Sequence, residues 1–396
     1  MLFHIAAQGQ RRWGFSFFVR SCAGTELGRW QRLCDRLTLL QRRIRFPAVE
    51  TFTVNGQSYE LPLKSIRPAR APNAQDLQYL AGFFDGDGCV GVHGQTGQMG
   101  LIVSQNIDSA EVLLHFRSCL GGGIYRQSVA TGSKKAKLQW EVVGSKMRDA
   151  AAALSRVPSM KQAQLFIATS GNVAQSDRLR VAKELAALKQ RQHVPDQWTV
   201  CLWPYFAGFF DAEGSIVCRP VFGIHLRVGQ VNRGVLKHLR GFLHGNQLES
   251  WSLYRHTHCS ELVCSNLKEC KRTLELLLLH GLRVKREQAE LALALTPENH
   301  LQTRDAISAL NGWQGRYRRL DRDGIARTAE IQKLQKRLYH QEGLEYTSLQ
   351  HQLDHLRSEH ALQKLISRCN MLRKDLRKAF RQGGQLSRTG SPEEDV

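Results

Sequence analysis

With 396 residues the chain is long enough for two or three domains, each burying its own core. Its 56 basic residues against 35 acidic ones leave a formal charge of +21, an excess that points to a polyanionic partner, nucleic acid or an anionic surface. No apolar run approaches the roughly 18 residues of a membrane helix, so the sequence reads as a soluble protein with no membrane partner.

Residues 1–72 stand apart as an N-terminal extension. The first fifty positions hold nine arginines, no lysine and only Glu26, Asp35 and Glu50 as acids. That composition fits a transit peptide for chloroplast or mitochondrion, or an upstream reading frame fused to the rest of the chain. From Pro72-Asn73, a helix entry, the pattern becomes regular. Leu77, Leu80, Ala81, Phe83 and Phe84 are apolar on nearly every side, as in a helix buried from all directions. That helix carries the stretch Leu80-Ala81-Gly82-Phe83-Phe84-Asp85-Gly86-Asp87-Gly88. It returns as Phe206-Ala207-Gly208-Phe209-Phe210-Asp211-Ala212-Glu213-Gly214, after Pro204 at the start of its own helix.

Gly82 and Gly208 are each about 1 kcal/mol worse than alanine in an isolated helix. Their use is to let another backbone come close. Packing through Ala81/Gly82 and Ala207/Gly208 therefore predicts that the two helices lie side by side with their C-terminal ends together. Asp87 and Glu213 would then meet. Two carboxylates forced together repel, and oxygen ligation of this kind suits Mg²⁺. Asp85 and Asp211 read instead as turn caps ahead of Gly88 and Gly214.

The rest of the first repeat (73–168) predicts strands over 89–93 and 101–105, a helix over 109–120 stopped by Gly121-Gly122-Gly123, a hairpin of strands over 124–129 and 137–143, and a helix over 146–154. A linker (169–199) holds a helix over 180–190. The second repeat (200–296) follows the first at shifting offsets. Glu213 lies 126 residues after Asp87, Val228-Gly229-Gln230 lies 125 after Val103-Ser104-Gln105, Glu261 lies 120 after Glu141, and Gln288-Ala289 lies 126 after Gln162-Ala163. The fold class is α+β: two tandem αββαββα repeats related by a pseudo-twofold axis, forming a basic saddle that suits duplex nucleic acid. A helical C-terminal extension (297–382) shows helical spacing at Ile331, Leu334 and Leu338, then at Leu349, Leu353 and Leu356, then at Leu362, Leu365, Leu372 and Leu376, with Gly343 between the first two runs. Residues 383–396 read as a disordered tail. The ten cysteines lack regular spacing and read as reduced thiols; zinc at Cys259, Cys264 and Cys270 with His256 and His258 is the alternative.

The two nonapeptides resemble the LAGLIDADG motif of a family of homing endonucleases, in its double-motif, single-chain and monomeric form. The resemblance implies hydrolysis of phosphodiester bonds in both strands of a long, asymmetric DNA site. It implies Mg²⁺ held by Asp87 and Glu213 with the carbonyls of Gly86 and Ala212, and a catalytic set completed by Gln105, Gln230 and Lys285. Aligning the Gln-Ala pairs sets Ser159 opposite Lys285, with Lys161 two residues on. Either Lys161 reaches the site from a shifted backbone, or one half alone has a lysine. For DNA contact the resemblance assigns Cys89, Gly91 and His93 in one repeat and Ser215, Val217 and Arg219 in the other. Arg126, Arg227 and Arg255 are further candidates. The competing reading is a maturase of the same family that binds intron RNA without cutting it. A transcription factor on the same fold has only basicity in its favour.

Overall fold

The computed structural model describes residues 26–69, 71–92, 98–171, 174–190, 201–220, 222–310, 317, 319–339 and 342–387. The chain divides into two compact units. One is Arg45–Arg316; the other joins the chain's two ends, Met1–Ile44 and Tyr317–Val396. A helix, α1 (Glu26–Arg42), opens the described chain, and a two-residue strand, β1 (Ile44–Arg45), spans the boundary between the units.

The larger unit begins with a hairpin, β2 (Thr51–Val54) and β3 (Gln57–Glu60), then β4 (Leu63–Ile66). Asn55 and Gly56 both take positive φ (50° and 79°), the backbone a two-residue hairpin turn demands. The first repeat comes next. Asn73 accepts a hydrogen bond from the Asp76 N–H at 2.7 Å and so caps α2 (Ala74–Asp87). After it come β5 (Gly88–Val92), β6 (Met99–Asn106), α3 (Ala110–Leu120), β7 (Gly122–Ser128), β8 (Lys137–Val143) and α4 (Gly144–Ser155). Two helices lead onward, α5 (Gln162–Thr169) and α6 (Arg178–Gln190). The second repeat is α7 (Trp203–Glu213), β9 (Gly214–Cys218), β10 (Ile224–Gln230), α8 (Arg233–Gly245), β11 (Ser252–Arg255), β12 (Ser260–Cys264) and α9 (Leu267–Leu279). It ends with α10 (Arg286–Leu293) and α11 (His300–Leu310).

The predicted αββαββα order holds in both copies. The sheets run β4-β7-β8-β6-β5 and β11-β12-β10-β9, antiparallel at every pair, so they differ by one edge strand. That strand, β4, comes from the N-terminal extension, and Phe52 of β2 is buried in the core. Residues 45–72 thus belong to the first repeat's unit rather than standing outside it. Helix α11 belongs to this unit too: the His300 ring lies 2.9 Å from the Arg219 carbonyl.

Strand alternation sorts each sheet into two faces. Val90, Leu101, Val103, Leu138, Trp140 and Val142 face the helices in the first repeat; Ile216, Leu226, Val228 and Leu262 do so in the second. Burying a large side chain of this kind contributes about 2–3 kcal/mol. Trp140 also satisfies its indole N–H, which donates to the Gly121 carbonyl at 2.7 Å.

The strand registers correct two of the sequence offsets. Gln105 pairs with Leu138 and Gln230 with Ser260, so the last strands correspond at 122 residues rather than 120. The last helices begin one residue after Lys161 and Lys285, which correspond at 124 rather than 126. Both slips are of two residues. Alternation fixes which side chains face the core but not how far along the strand a match sits.

In the smaller unit, α12 (Arg322–Leu338) starts at Asp321, whose side chain accepts from the Gly324 N–H at 2.7 Å. Gly343, at φ 71°, opens α13 (Gly343–Arg381), which at 39 residues is about 58 Å long. Leu334, Leu349 and Leu353 pack with Ile331, Leu338 and Leu356, the helical hairpin expected from their spacing. The third leucine run continues the same helix. The N-terminal α1 belongs here as well: Cys34 and Cys369 form a disulfide with Cα atoms 5.3 Å apart, a departure from the expected reduced state. Tyr317 receives a hydrogen bond from Gln41 at 2.6 Å and donates to Asp375 at 2.7 Å. Residues 383–387, expected to be part of a disordered tail, are ordered: the Ser387 N–H donates to the Arg43 carbonyl at 3.0 Å. Residues 388–396 lie outside the described residues.

Candidate active site

Helices α2 and α7 are apolar almost all round because they pack against each other. A Cβ on Gly82 would overlap the Tyr205 carbonyl oxygen, and one on Gly208 would overlap the Tyr79 carbonyl oxygen. Ala81 and Ala207 are buried beside them. The reciprocity carries on to the helix ends. A Cβ on Gly86 would overlap the Ala212 methyl and lie 3.0 Å from the Glu213 Cγ. The two tips meet, as the glycine pattern predicts.

Asp87 and Glu213 are the last residues of the two helices. Each accepts from a glutamine at the end of its own repeat's second strand, the last residue but one of β6 and the last of β10: Gln105 Nε2 donates to Asp87 Oδ2 at 2.5 Å, and Gln230 Nε2 to Glu213 Oε1 at 3.1 Å. Gln230 is oriented in turn, its Oε1 accepting from the Val231 N–H at 2.7 Å. Burial raises the pKa of both acids, and the Asp87 charge raises that of Glu213 further. Asp87 still opens to solvent on one side although protein atoms surround the rest of it. The lysine acting most strongly on each acid comes from the opposite repeat, Lys285 on Asp87 and Lys161 on Glu213.

Both lysines are pushed below their ordinary pKa by burial. Lys161 Nζ donates to the carbonyls of Phe84 at 2.7 Å and Gly88 at 2.5 Å, and lies 3.4 Å from that of Gly86. Lys285 Nζ donates to the Asp211 carbonyl. The two occupy equivalent places, each just before the helix that follows the repeat. The question left by Ser159 is therefore answered: Lys161 is the partner of Lys285, and Ser159 corresponds to Arg283.

Asp85 and Asp211 are not turn caps. Both are fully enclosed, and each accepts backbone N–H groups from the segment that carries its lysine. Asp85 receives Met160 at 2.7 Å and Lys161 at 3.0 Å. Asp211 receives Arg283 at 2.7 Å, Val284 at 3.1 Å and Lys285 at 2.9 Å. Each also accepts a tyrosine hydroxyl from the other repeat, Tyr205 on Asp85 at 2.6 Å and Tyr79 on Asp211 at 2.7 Å. Neither tyrosine was singled out from sequence. The signal was there, since Tyr79 and Tyr205 precede their motif glycines by the same three residues.

The expected DNA-contact residues divide. Cys89 and Gly91 lie in the row opposite the core-facing Val90, with Ile102, Ser104 and Glu141, as register and alternation require, and Lys189 of α6 reaches the Cys89 sulfur at 3.3 Å. Ser215 and Val217 share such a face with His225 and Arg227 in the second repeat, and Arg219 follows one residue past the end of β9. His93 lies outside the described residues. Arg126 and Arg255 fall in the other row: Arg126 is in register with Leu138 and Arg255 with Ser260, the rows that hold Gln105 and Gln230. Both are exposed. A cleft of about 870 Å³ joins Asp87, Gln105 and Lys137 to Ala212 and Lys285, and sequence reasoning missed Lys137.

Paired carboxylates with oxygen-only donors, each raised in pKa by its setting, fit a hard divalent cation. A second grouping among the described residues does not. His115 turns Nε2 to Asp76 at 3.3 Å and Nδ1 to the Cys119 sulfur at 3.8 Å, so these partners face opposite ring nitrogens and share no point for one ion. The zinc alternative fares no better, because Cys264 and Cys270 are buried against the core while Cys259 is half-buried in the β11–β12 loop.

No model of a known protein family matches the sequence, and no curated protein matches it. Solved structures do. The LAGLIDADG homing endonuclease I-GzeII in complex with its DNA target is 12% identical, with a TM-score of 0.44 over 59% of this chain and 96% of that one. I-SmaMI bound to uncleaved DNA in the presence of calcium ions is 13% identical, with a TM-score of 0.41 over 59% and 97%. The LAGLIDADG meganuclease I-CpaMI bound to uncleaved DNA is 11% identical, with a TM-score of 0.41 over 59% and 97%.

Proposed function

We propose that the chain is a site-specific DNA endonuclease that hydrolyses phosphodiester bonds in both strands of a long duplex site, as a monomer with Mg²⁺ as its cofactor. One observation carries the reading: two helix tips in contact, each ending in an acid that is hydrogen-bonded by a glutamine and lies within the field of a buried lysine. Asp87 and Glu213 would hold the cation, with the Gly86 and Ala212 carbonyls beside them. Mg²⁺ bound there supplies a more acidic water and charge compensation at the phosphate oxygens. Gln105 and Gln230 fix the carboxylate rotamers. Lys161 and Lys285, held in low-dielectric surroundings, place positive charge where the phosphate gains negative charge. Arg219 and Arg227, with Lys137 at the cleft, supply groove and phosphate contacts.

The test is cleavage selection from randomised duplexes, with Mg²⁺ and Ca²⁺ compared. Double-strand products with Mg²⁺ that vanish in chelator are expected. Failure to cut any duplex, with intron RNA bound and its splicing rescued regardless of Asp87 and Glu213, would replace this reading with the maturase. In the same assay Lys161→Met and Lys285→Met should each slow cleavage by roughly 100- to 1,000-fold, the loss expected when one group that stabilises developing charge is removed.

A further inference from the structure

Resting on that reading of the site, we infer that Asp85 and Asp211 are positioning residues, and that the lysine of each repeat is held in place by a tyrosine of the other. Lys161 and Lys285 sit on short non-helical straps ahead of α5 and α10. Such straps have no helix or strand ladder of their own to fix them. What fixes them is the buried carboxylate. Asp211 receives three strap amides and the Tyr79 hydroxyl, four donors for about four lone-pair sites. Asp85 receives two strap amides and the Tyr205 hydroxyl. Strap amides donate to both oxygens of each aspartate, so each takes part as an acceptor on both. Burial pushes both tyrosines well above their usual range, so they serve only as hydroxyl donors.

The two latches differ. Arg283 adds an anchor to the second strap: its guanidinium lies 5.6 Å from the centre of the Tyr79 ring and 3.5 Å from Glu111, both in the first repeat. The equivalent residue of the first strap is Ser159, buried with its hydroxyl unpartnered. The Lys161 strap thus depends more on its single tyrosine.

The experiment uses Tyr79→Phe and Tyr205→Phe in the full chain, with two readouts. Amide hydrogen exchange should quicken roughly 10-fold at residues 160–161 in Tyr205→Phe, and by less at 283–285 in Tyr79→Phe, each leaving the other strap as in the wild type. On a duplex labelled separately on each strand, the two variants should slow opposite strands, Tyr205→Phe by about 10- to 100-fold, the scale of a lost hydrogen bond to a charged group. Exchange that is unchanged at both straps, or quickened equally at both by either variant, overturns the inference. So does equal slowing of both strands. If no duplex is cut, the exchange measurement still decides the latch, and the endonuclease reading fails alone.

Discussion

Gly82→Ala should unfold the larger unit at a temperature roughly 6–15 °C below that of the wild type, read as a loss of about 3–5 kcal/mol in thermal or denaturant unfolding. In an isolated helix the same change would help, by about 1 kcal/mol. The sign reverses because the added methyl has nowhere to go. It would overlap the Tyr205 carbonyl oxygen and lie 2.9 Å from the Tyr205 carbonyl carbon and 3.0 Å from the Phe209 nitrogen. These are backbone atoms of α7 and cannot turn aside as a side chain could. The helices would have to separate, loosening the buried Phe83, Phe84, Phe209 and Phe210 and parting the tips that hold the acids. Gly208→Ala should cost as much, since its methyl would strike the Tyr79 carbonyl. Gly241→Ala is the control. It lies in α8, where an added methyl would meet nothing within 4 Å, and should be neutral or slightly stabilising. A Gly82→Ala variant that melts with the wild type would remove the close approach of α2 and α7.

What could be read from the residues was what repeats locally. Alternating and all-round apolar patterns placed the helices and strands of both copies, and a glycine in the same place in two buried helices announced their contact. The lysine register was harder. The pairs Gln162-Ala163 and Gln288-Ala289 invited a match two residues out of step, and the strings Glu141-Val142-Val143 and Glu261-Leu262-Val263 did the same for the last strands, where the parity was still correct. The arginines show the limit of alternation. Arg126 and Arg255 lie past the last core residue of their strands, and at Arg126 the ladder also slips by a bulge. Both are candidates for groove or phosphate contact, and the register puts them in the rows of Gln105 and Gln230. Long-range partners left no local trace at all. Nothing near Cys34 tells of Cys369, 335 residues on, so the two chain ends read as separate extensions although α1 and α13 share one unit. The functions of Asp85 and Asp211 were hidden for the same reason: their partners are backbone amides some 75 residues away, and an amide has no signature in sequence.

Glu213→Gln should lower cleavage by about 1,000-fold or more while leaving metal-free DNA binding near that of the wild type. The amide keeps the shape of the acid, and its carbonyl oxygen can still accept from Gln230. What it loses is the negative charge that holds a cation. Asp87→Asn should behave alike. The same substitution has an opposite effect on stability. In the metal-free protein Glu213 has its pKa raised by burial and by the charge of Asp87. A carboxyl raised on folding contributes stability below its unfolded pKa, and that contribution is lost as pH rises through the folded value. Wherever both acids are ionised the wild type carries the repulsion, and the glutamine variant carries less. We expect its metal-free melting temperature to rise by about 1–3 °C at neutral pH, with a shallower fall between acid and neutral pH than in the wild type, since Lys161 and Lys285 already offset part of the repulsion. Cleavage within 10-fold of the wild type would show that no ion is held at this acid. Lower stability at neutral pH would show instead that attraction to the two lysines outweighs the repulsion, and that the acids are kept together by the protein's own charges before any cation arrives.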